Sequence, residues 1–207
     1  MDFQRPVEAV VPGAQGRILA VLVETSAELN LRTIARLSGV SLAHTSRILP
    51  MLVELGIVDR RDVPPSALFR FARENVAARA VSALADARRI VLRELGQSAG
   101  DIEPHPVSVV VFGSFARGEA DRDSDLDVAV VRPATIEEDD DHWRASVDRW
   151  LEQARRLTGN AVELLEVTDE EVRRLLRSPK PLWLDVQRDG IVVYGLELDD
   201  LRGRRSA

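Results

Sequence analysis

The chain has no cysteine. Disulfides and thiolate metal sites are therefore excluded, which fits a reducing cytosol. It also lacks any apolar run approaching the ~18–20 residues that cross a bilayer, and its first residues show no signal-peptide pattern. A soluble, cytoplasmic protein with no membrane contact is the expectation. Lysine is nearly missing: Lys180 is the only one, so cationic work elsewhere falls to arginine. What is present is ample for a core, since 45% of the 207 residues are apolar, and the length suits one or two domains. The net charge of −6 hides an asymmetry. Residues 1–100 hold 13 Arg against 10 Asp/Glu, a balance of +3, while residues 101–207 hold 15 Arg/Lys against 24 Asp/Glu, a balance of −9. A mildly basic front half before an acidic back half is compatible with one domain meeting nucleic acid and another handling metal.

The chemistry concentrates in residues 109–131, VVVFGSFARGEADRDSDLDVAVV. An apolar β-branched run from Val107 to Phe112 breaks at Gly113-Ser114, and a second runs from Val128 to Val131. Such short runs bounded by Gly, Ser and Asp read as buried strands. Asp125 and Asp127 flank Leu126, so strand alternation points both carboxylates one way and Leu126 into the core. Adjacent carboxylates repel unless a cation lies between them, and hard oxygen ligands suit Mg²⁺ with substrate phosphates. Gly113 permits close backbone approach to an anion, and Ser114 adds a hydroxyl. The alternative is an Asp-rich, Ca²⁺-like loop or a solvated turn between two strands.

Gly113-Ser114, ten residues, then Asp125-Leu126-Asp127 resembles the signature of the DNA polymerase beta-type nucleotidyltransferase superfamily. The form Gly-Ser-Phe-Ala-Arg-Gly is similar to its small bacterial branch, the minimal nucleotidyltransferases. The resemblance covers residues 104–195. It implies that Gly113 and Ser114 hold a triphosphate, that Asp125 and Asp127 bind Mg²⁺, and that a third carboxylate comes from a later strand. Within Ala161–Val167, Glu163 lies between apolar neighbours, where an unpaired charge is costly, and is the expected third ligand; Glu166 is the alternative nearer the strand exit. Arg117 could bond triphosphate oxygens or form a surface ion pair with Glu119, Asp121 or Asp123.

The front half has its own pattern. Ala14 to Glu24, Leu31 to Leu37 and Ser41 to about Leu55 read as helices, with Ser38-Gly39-Val40 as a turn and Ser41 as a cap. Residues 1–13 read as a loose lead-in, and Pro50 predicts a kink. Two strands, Ile57 to Arg61 and Ala67 to Phe71, surround Val63-Pro64-Pro65-Ser66. Residues 14–72 resemble the winged helix-turn-helix domains of bacterial regulators. That resemblance presents Ala43, His44, Thr45, Ser46 and Arg47 to a major groove, and Arg60 and Arg61 to phosphates from the wing. Arg47 is the best base reader, because Arg bonds guanine bidentately, or is simply exposed.

Residues 73–98 read as one long linking helix capped by Asn75, joining two domains or pairing with its copy in a homodimer. Further on, the acidic run Glu137 to Asp141 reads as a solvated cap for the helix His142 to Leu157, whose Trp143 and Trp150 pack inward. Thr168 caps another helix, Leu182 to Asp189 forms the next, and Ile191 to Tyr194 the last strand. Arg202 to Ala207 reads as a polar, disordered tail. The fold class is thus α+β: winged helix-turn-helix (14–72), linking helix (73–98) and a mixed-sheet nucleotidyltransferase domain (101–207). The resemblance implies Mg²⁺-dependent transfer of a nucleoside monophosphate, AMP above the others, from NTP to a protein hydroxyl. Small relatives of this kind are antitoxins acting on a HEPN-type toxin. Alternatives are a double-stranded DNA-binding regulator whose second domain senses nucleotide, and, less favoured, an aminoglycoside-modifying enzyme.

Overall fold

The computed structural model describes residues 1–203, and the chain divides into two compact units, one of Arg5–Ala87 and one of Met1–Gln4 with Arg88 onward. The first unit contains α1 (Pro6–Val10), α2 (Ala14–Glu24), β1 (Leu29–Asn30), α3 (Leu31–Ser38), α4 (Leu42–Glu54), β2 (Val58–Val63), β3 (Ser66–Phe71) and α5 (Val76–Ala85). Local chemistry sets these boundaries. The Asn30 side chain accepts from the Thr33 amide and starts α3, Gly39 at φ +62° ends it, and the Ser41 side chain accepts from the His44 amide to start α4. The hairpin β2–β3 pairs Val58 with Phe71 through to Val63 with Ser66, and β1 adds itself antiparallel to β3. Ile18, Leu22, Ile34, Leu49, Leu52, Phe69 and Ala78 form the core.

Two expectations change here, the loose lead-in and the single linking helix, while the helix through Pro50 is found as expected. Residues 6–10 are helical, with Pro6 opening the first turn and Val7 buried. α4 runs from Leu42 to Glu54 with Pro50 inside it on the exposed side. The long linking helix is two helices, because Asp86 interrupts it between α5 and α6 (Ala87–Ala99). An Asp side chain competes with helical backbone bonding. Each half also buries residues in its own unit: Ala78, Val81 and Leu84 in the first core, Val91, Leu95 and Ala99 in the second unit.

The second unit continues with β4 (Ser108–Phe112), α7 (Gly113–Arg117), β5 (Leu126–Arg132), α8 (Asp141–Thr158), β6 (Val162–Thr168), α9 (Asp169–Leu175), α10 (Pro181–Asp189), β7 (Ile191–Gly195) and α11 (Leu198–Gly203). The mixed sheet has the order β6-β5-β4-β7, with β5 and β6 parallel and the other pairs antiparallel. Every residue of β4 is buried; Val109 to Phe112 are apolar, and the Ser108 hydroxyl donates to the Leu196 carbonyl at 2.9 Å. Val110, Phe112, Ala129 and Val131 face one cluster with Val172, Trp183 and Val186 from α9 and α10. On α8, Trp143 and Trp150 are both buried, and the Trp150 indole N–H donates to the Leu95 carbonyl of α6. Asp140, from the acidic run, accepts from the Trp143 amide and caps α8. Of the predicted tail, Arg202 and Gly203 end α11, and residues 204–207 lie outside the described residues. Among those described, no helix is long and apolar enough to cross a membrane.

Candidate functional site

The site lies where β4 gives way to α7. Phe112 ends β4, and Gly113 turns the chain at φ +67°. Across the sheet, Phe112 pairs with Asp127 on β5, and Asp127 pairs with Glu163 on β6. Antiparallel and then parallel pairing thus sets a glycine turn and two carboxylates along one row of three strands. A Cβ at Gly113 would stand 1.9 Å from Asp127 Oδ2 and 2.9 Å from its Cγ. The anion that Gly113 admits is therefore the carboxylate of this chain's own Asp127.

Asp127 is half-buried, and its carboxyl is pushed above the usual carboxylate range. Loss of solvation is the main cause, followed by the negative charges of Glu163 and Asp125; the Arg117 guanidinium works in the opposite direction. Asp125 is exposed just before β5 begins, while Leu126 is fully buried, as alternation predicts. Glu163 is exposed, which corrects the expectation of an apolar surrounding: its charge is solvated, and its place beside Asp127 comes from register. Glu166 has a different task. It accepts from Arg132 Nε at 2.6 Å and from the Trp143 indole N–H at 3.1 Å.

Among the described residues, no three His, Cys, Asp or Glu side chains stand close enough to form a ready metal cluster. The donors nevertheless suit a hard divalent cation. Asp125, Asp127 and Glu163 offer carboxylate oxygens and form no ion pair among the described residues, and their mutual repulsion is of the kind a cation relieves. Arg117 meets the ion-pair expectation: its Nε donates to Glu119 Oε2 at 2.7 Å, and it lies 3.7 Å from Asp189. Ser114 sits half-buried in the first turn of α7.

Sequence reasoning missed the residues that fasten the intervening loop. Asn160 is buried, and its side-chain amide donates to the carbonyls of Asp121 (3.0 Å) and Ser124 (2.7 Å). The Phe3 ring meets the Phe115 ring edge-on at 4.8 Å, and the Phe3 amide donates to the Ala120 carbonyl. Nothing in composition or spacing marks these contacts, because each joins residues far apart in sequence.

In the first unit, His44 and Arg47 are exposed on α4, and Arg47 has no ion pair among the described residues. Thr45 departs from expectation. It is fully buried, its hydroxyl donates to the Ser41 carbonyl at 3.0 Å, and it faces the core instead of a groove. The wing arginines are paired: Arg60 with Asp62, Arg61 with Glu28, and Arg70 with Asp59. Arg32 and Arg36 on α3 are exposed cations that the sequence reading passed over.

Comparison with known families finds a nucleotidyltransferase domain at residues 92–186 and an IclR helix-turn-helix domain at residues 16–62. No curated protein matches the chain. A solved crystal structure of a toxin–antitoxin with AMP-PNP is similar at 19% identity and a TM-score of 0.38, over 54% of this chain and 80% of that one.

Proposed function

From a chain that joins an IclR helix-turn-helix domain to a nucleotidyltransferase domain, we propose a cytoplasmic transferase that moves AMP from ATP to a hydroxyl on a protein while its first domain binds double-stranded DNA. The observation that carries this reading is the row Phe112–Asp127–Glu163, which brings two carboxylates together beside the Gly113-Ser114 turn. The acceptor hydroxyl would give its proton to solvent and its oxygen would bond to the α-phosphorus as the bond to the pyrophosphate oxygen breaks. Asp125, Asp127 and Glu163 would hold Mg²⁺, which when bound neutralises phosphate charge and makes the acceptor hydroxyl more acidic. Gly113 and Ser114 would face the leaving phosphates. Arg117 would follow only after exchanging Glu119 for a phosphate oxygen. On the other domain, Arg47 and His44 would meet the major groove. The favoured acceptor is a partner toxin of the HEPN kind, which makes the chain antitoxin-like.

The test is label transfer from an α-phosphate-labelled NTP with Mg²⁺ and a host lysate, using Asp125→Asn/Asp127→Asn protein as control. Label on a protein band with the wild type alone is the expected result. No transfer from any of the four NTPs, with promoter binding intact, would favour a second reading. That reading is a DNA-binding regulator whose second domain senses nucleotide.

A further inference from the structure

α7 is too short to stand alone. Five residues close barely one turn, and the last four carbonyls of any helix lack intrahelical partners. At α7 those carbonyls are supplied from two directions. The Gly118 and Glu119 amides donate to the carbonyls of Phe115 and Ser114. From α6, Arg88 Nε donates to the Phe115 carbonyl at 2.7 Å, and its terminal nitrogen donates to the carbonyl of Ala116. A cation at a helix C-terminus also has the favourable sign for the helix dipole.

Arg88 spends its charge on nothing else, since it forms no ion pair with a carboxylate among the described residues. Its guanidinium packs over Gly118, where a Cβ would stand 3.8 Å from Nε, and Gly118 takes φ +76° to end the helix. The apolar side of the same turn is held by Phe115, which is 1% exposed and pressed against Phe3. Both anchors act at the carbonyl end. At the other end Gly113 faces Asp127, and Ser114 follows it in the first turn.

We propose that Arg88 is a positioning residue of the nucleotide site: by clamping the carbonyl end of α7 it fixes Gly113 and Ser114 against Asp127. This rests on the transferase reading above. Arg88 touches no substrate in this account. It acts through the short helix, so its loss loosens phosphate placement and leaves the sheet intact.

The test uses the full chain as wild type, Arg88→Met and Arg88→Lys. MgATP affinity is measured by calorimetry and amide hydrogen exchange is followed residue by residue. Arg88→Met is expected to weaken MgATP binding by about tenfold, the scale of one lost hydrogen bond. Exchange at Gly118 and Glu119 should quicken while β4 and β5 keep their protection. Added guanidinium should restore part of the affinity, and Arg88→Lys should fall between the two. Unchanged affinity and unchanged exchange in Arg88→Met overturn the proposal. So does a loss of protection spread across β4 and β5 with no guanidinium rescue, since Arg88 would then serve the whole fold. A wild type that binds no NTP overturns the transferase reading itself, whereas a wild type that binds beside an unaffected Arg88→Met overturns only the clamp.

Discussion

Glu163 and Glu166 lie three residues apart on β6, yet they do opposite things. Glu163 is exposed beside Asp127 and has no cationic partner among the described residues. Glu166 holds the guanidinium of Arg132, whose side chain is 9% exposed, and the indole of Trp143. One carboxylate is left with its charge uncompensated, and the other is consumed in holding the fold. An odd spacing on a strand sends the two side chains to opposite faces, so their different fates follow from pleat alone. Charge that a fold leaves unpaired at the end of a sheet is charge available to a ligand.

The sharpest way to break the comparison is to remove each carboxyl in turn. Glu163→Gln should lower label transfer by roughly a hundredfold, as expected when one group stabilising the transition state is lost, with the melting temperature unchanged. Glu166→Ala should do the reverse. It strands a buried guanidinium and should cost about 2–3 kcal/mol in urea unfolding, while transfer per folded molecule stays near wild type. If Glu166→Ala abolished transfer and Glu163→Gln did not, the assignment of the third ligand would be inverted.

The same contrast holds among the cations of the first unit and gives a smaller effect. Arg47 is exposed and unpaired among the described residues, whereas Arg61 is held by Glu28. Arg47→Ala should weaken operator binding by about tenfold or more, in the range of a lost base contact of roughly 1–3 kcal/mol. Arg61→Ala should change it by less than about threefold, because an exposed pair is worth little and its charge is already balanced. Fluorescence anisotropy on promoter DNA at fixed salt separates the two.

The smallest effect lies at the far end of β6. Thr168 caps α9 in a reciprocal box with Glu171, and the Thr168 amide and hydroxyl hold the Glu171 carboxyl below its usual range. A carboxyl depressed in the folded state adds stability above its unfolded pKa and loses it as pH falls through the folded value. Thermal melts through the acid range should therefore show a slightly flatter acid limb for Glu171→Gln than for wild type.

Much of this was legible in the chain, and the reason is local. The strands flanking Gly113-Ser114, the Leu126 alternation, the Ser41 cap and the wing hairpin all follow from residues close together in the chain, whereas the Asn30 cap of α3 was not read from it. The departures are contacts between distant segments. Glu28 reaches Arg61 across 33 residues, Arg88 reaches Phe115 across 27, and Asn160 reaches Ser124 across 36. Thr45 was misplaced because a hydroxyl that bonds back to its own helix can be buried as readily as an apolar side chain. The break at Asp86 divides the stretch so that α5 buries Ala78 in the first unit and α6 buries Val91 and Leu95 in the second, which periodicity alone does not reveal.

The parallel pairing of β5 with β6 has a consequence for how this protein acquires its activity. Parallel neighbours cannot be joined by a hairpin, and here the connection runs through the 18-residue α8. Asp127 and Glu163 are therefore strangers in the nascent chain until that crossover has docked and closed a long loop. Contacts of that separation form late, because loop closure must precede any gain from pairing. A folding intermediate with β4, β5 and the glycine turn in place would hold two of the three proposed carboxylates, Asp125 and Asp127, and the third, Glu163, would join them only as folding finishes.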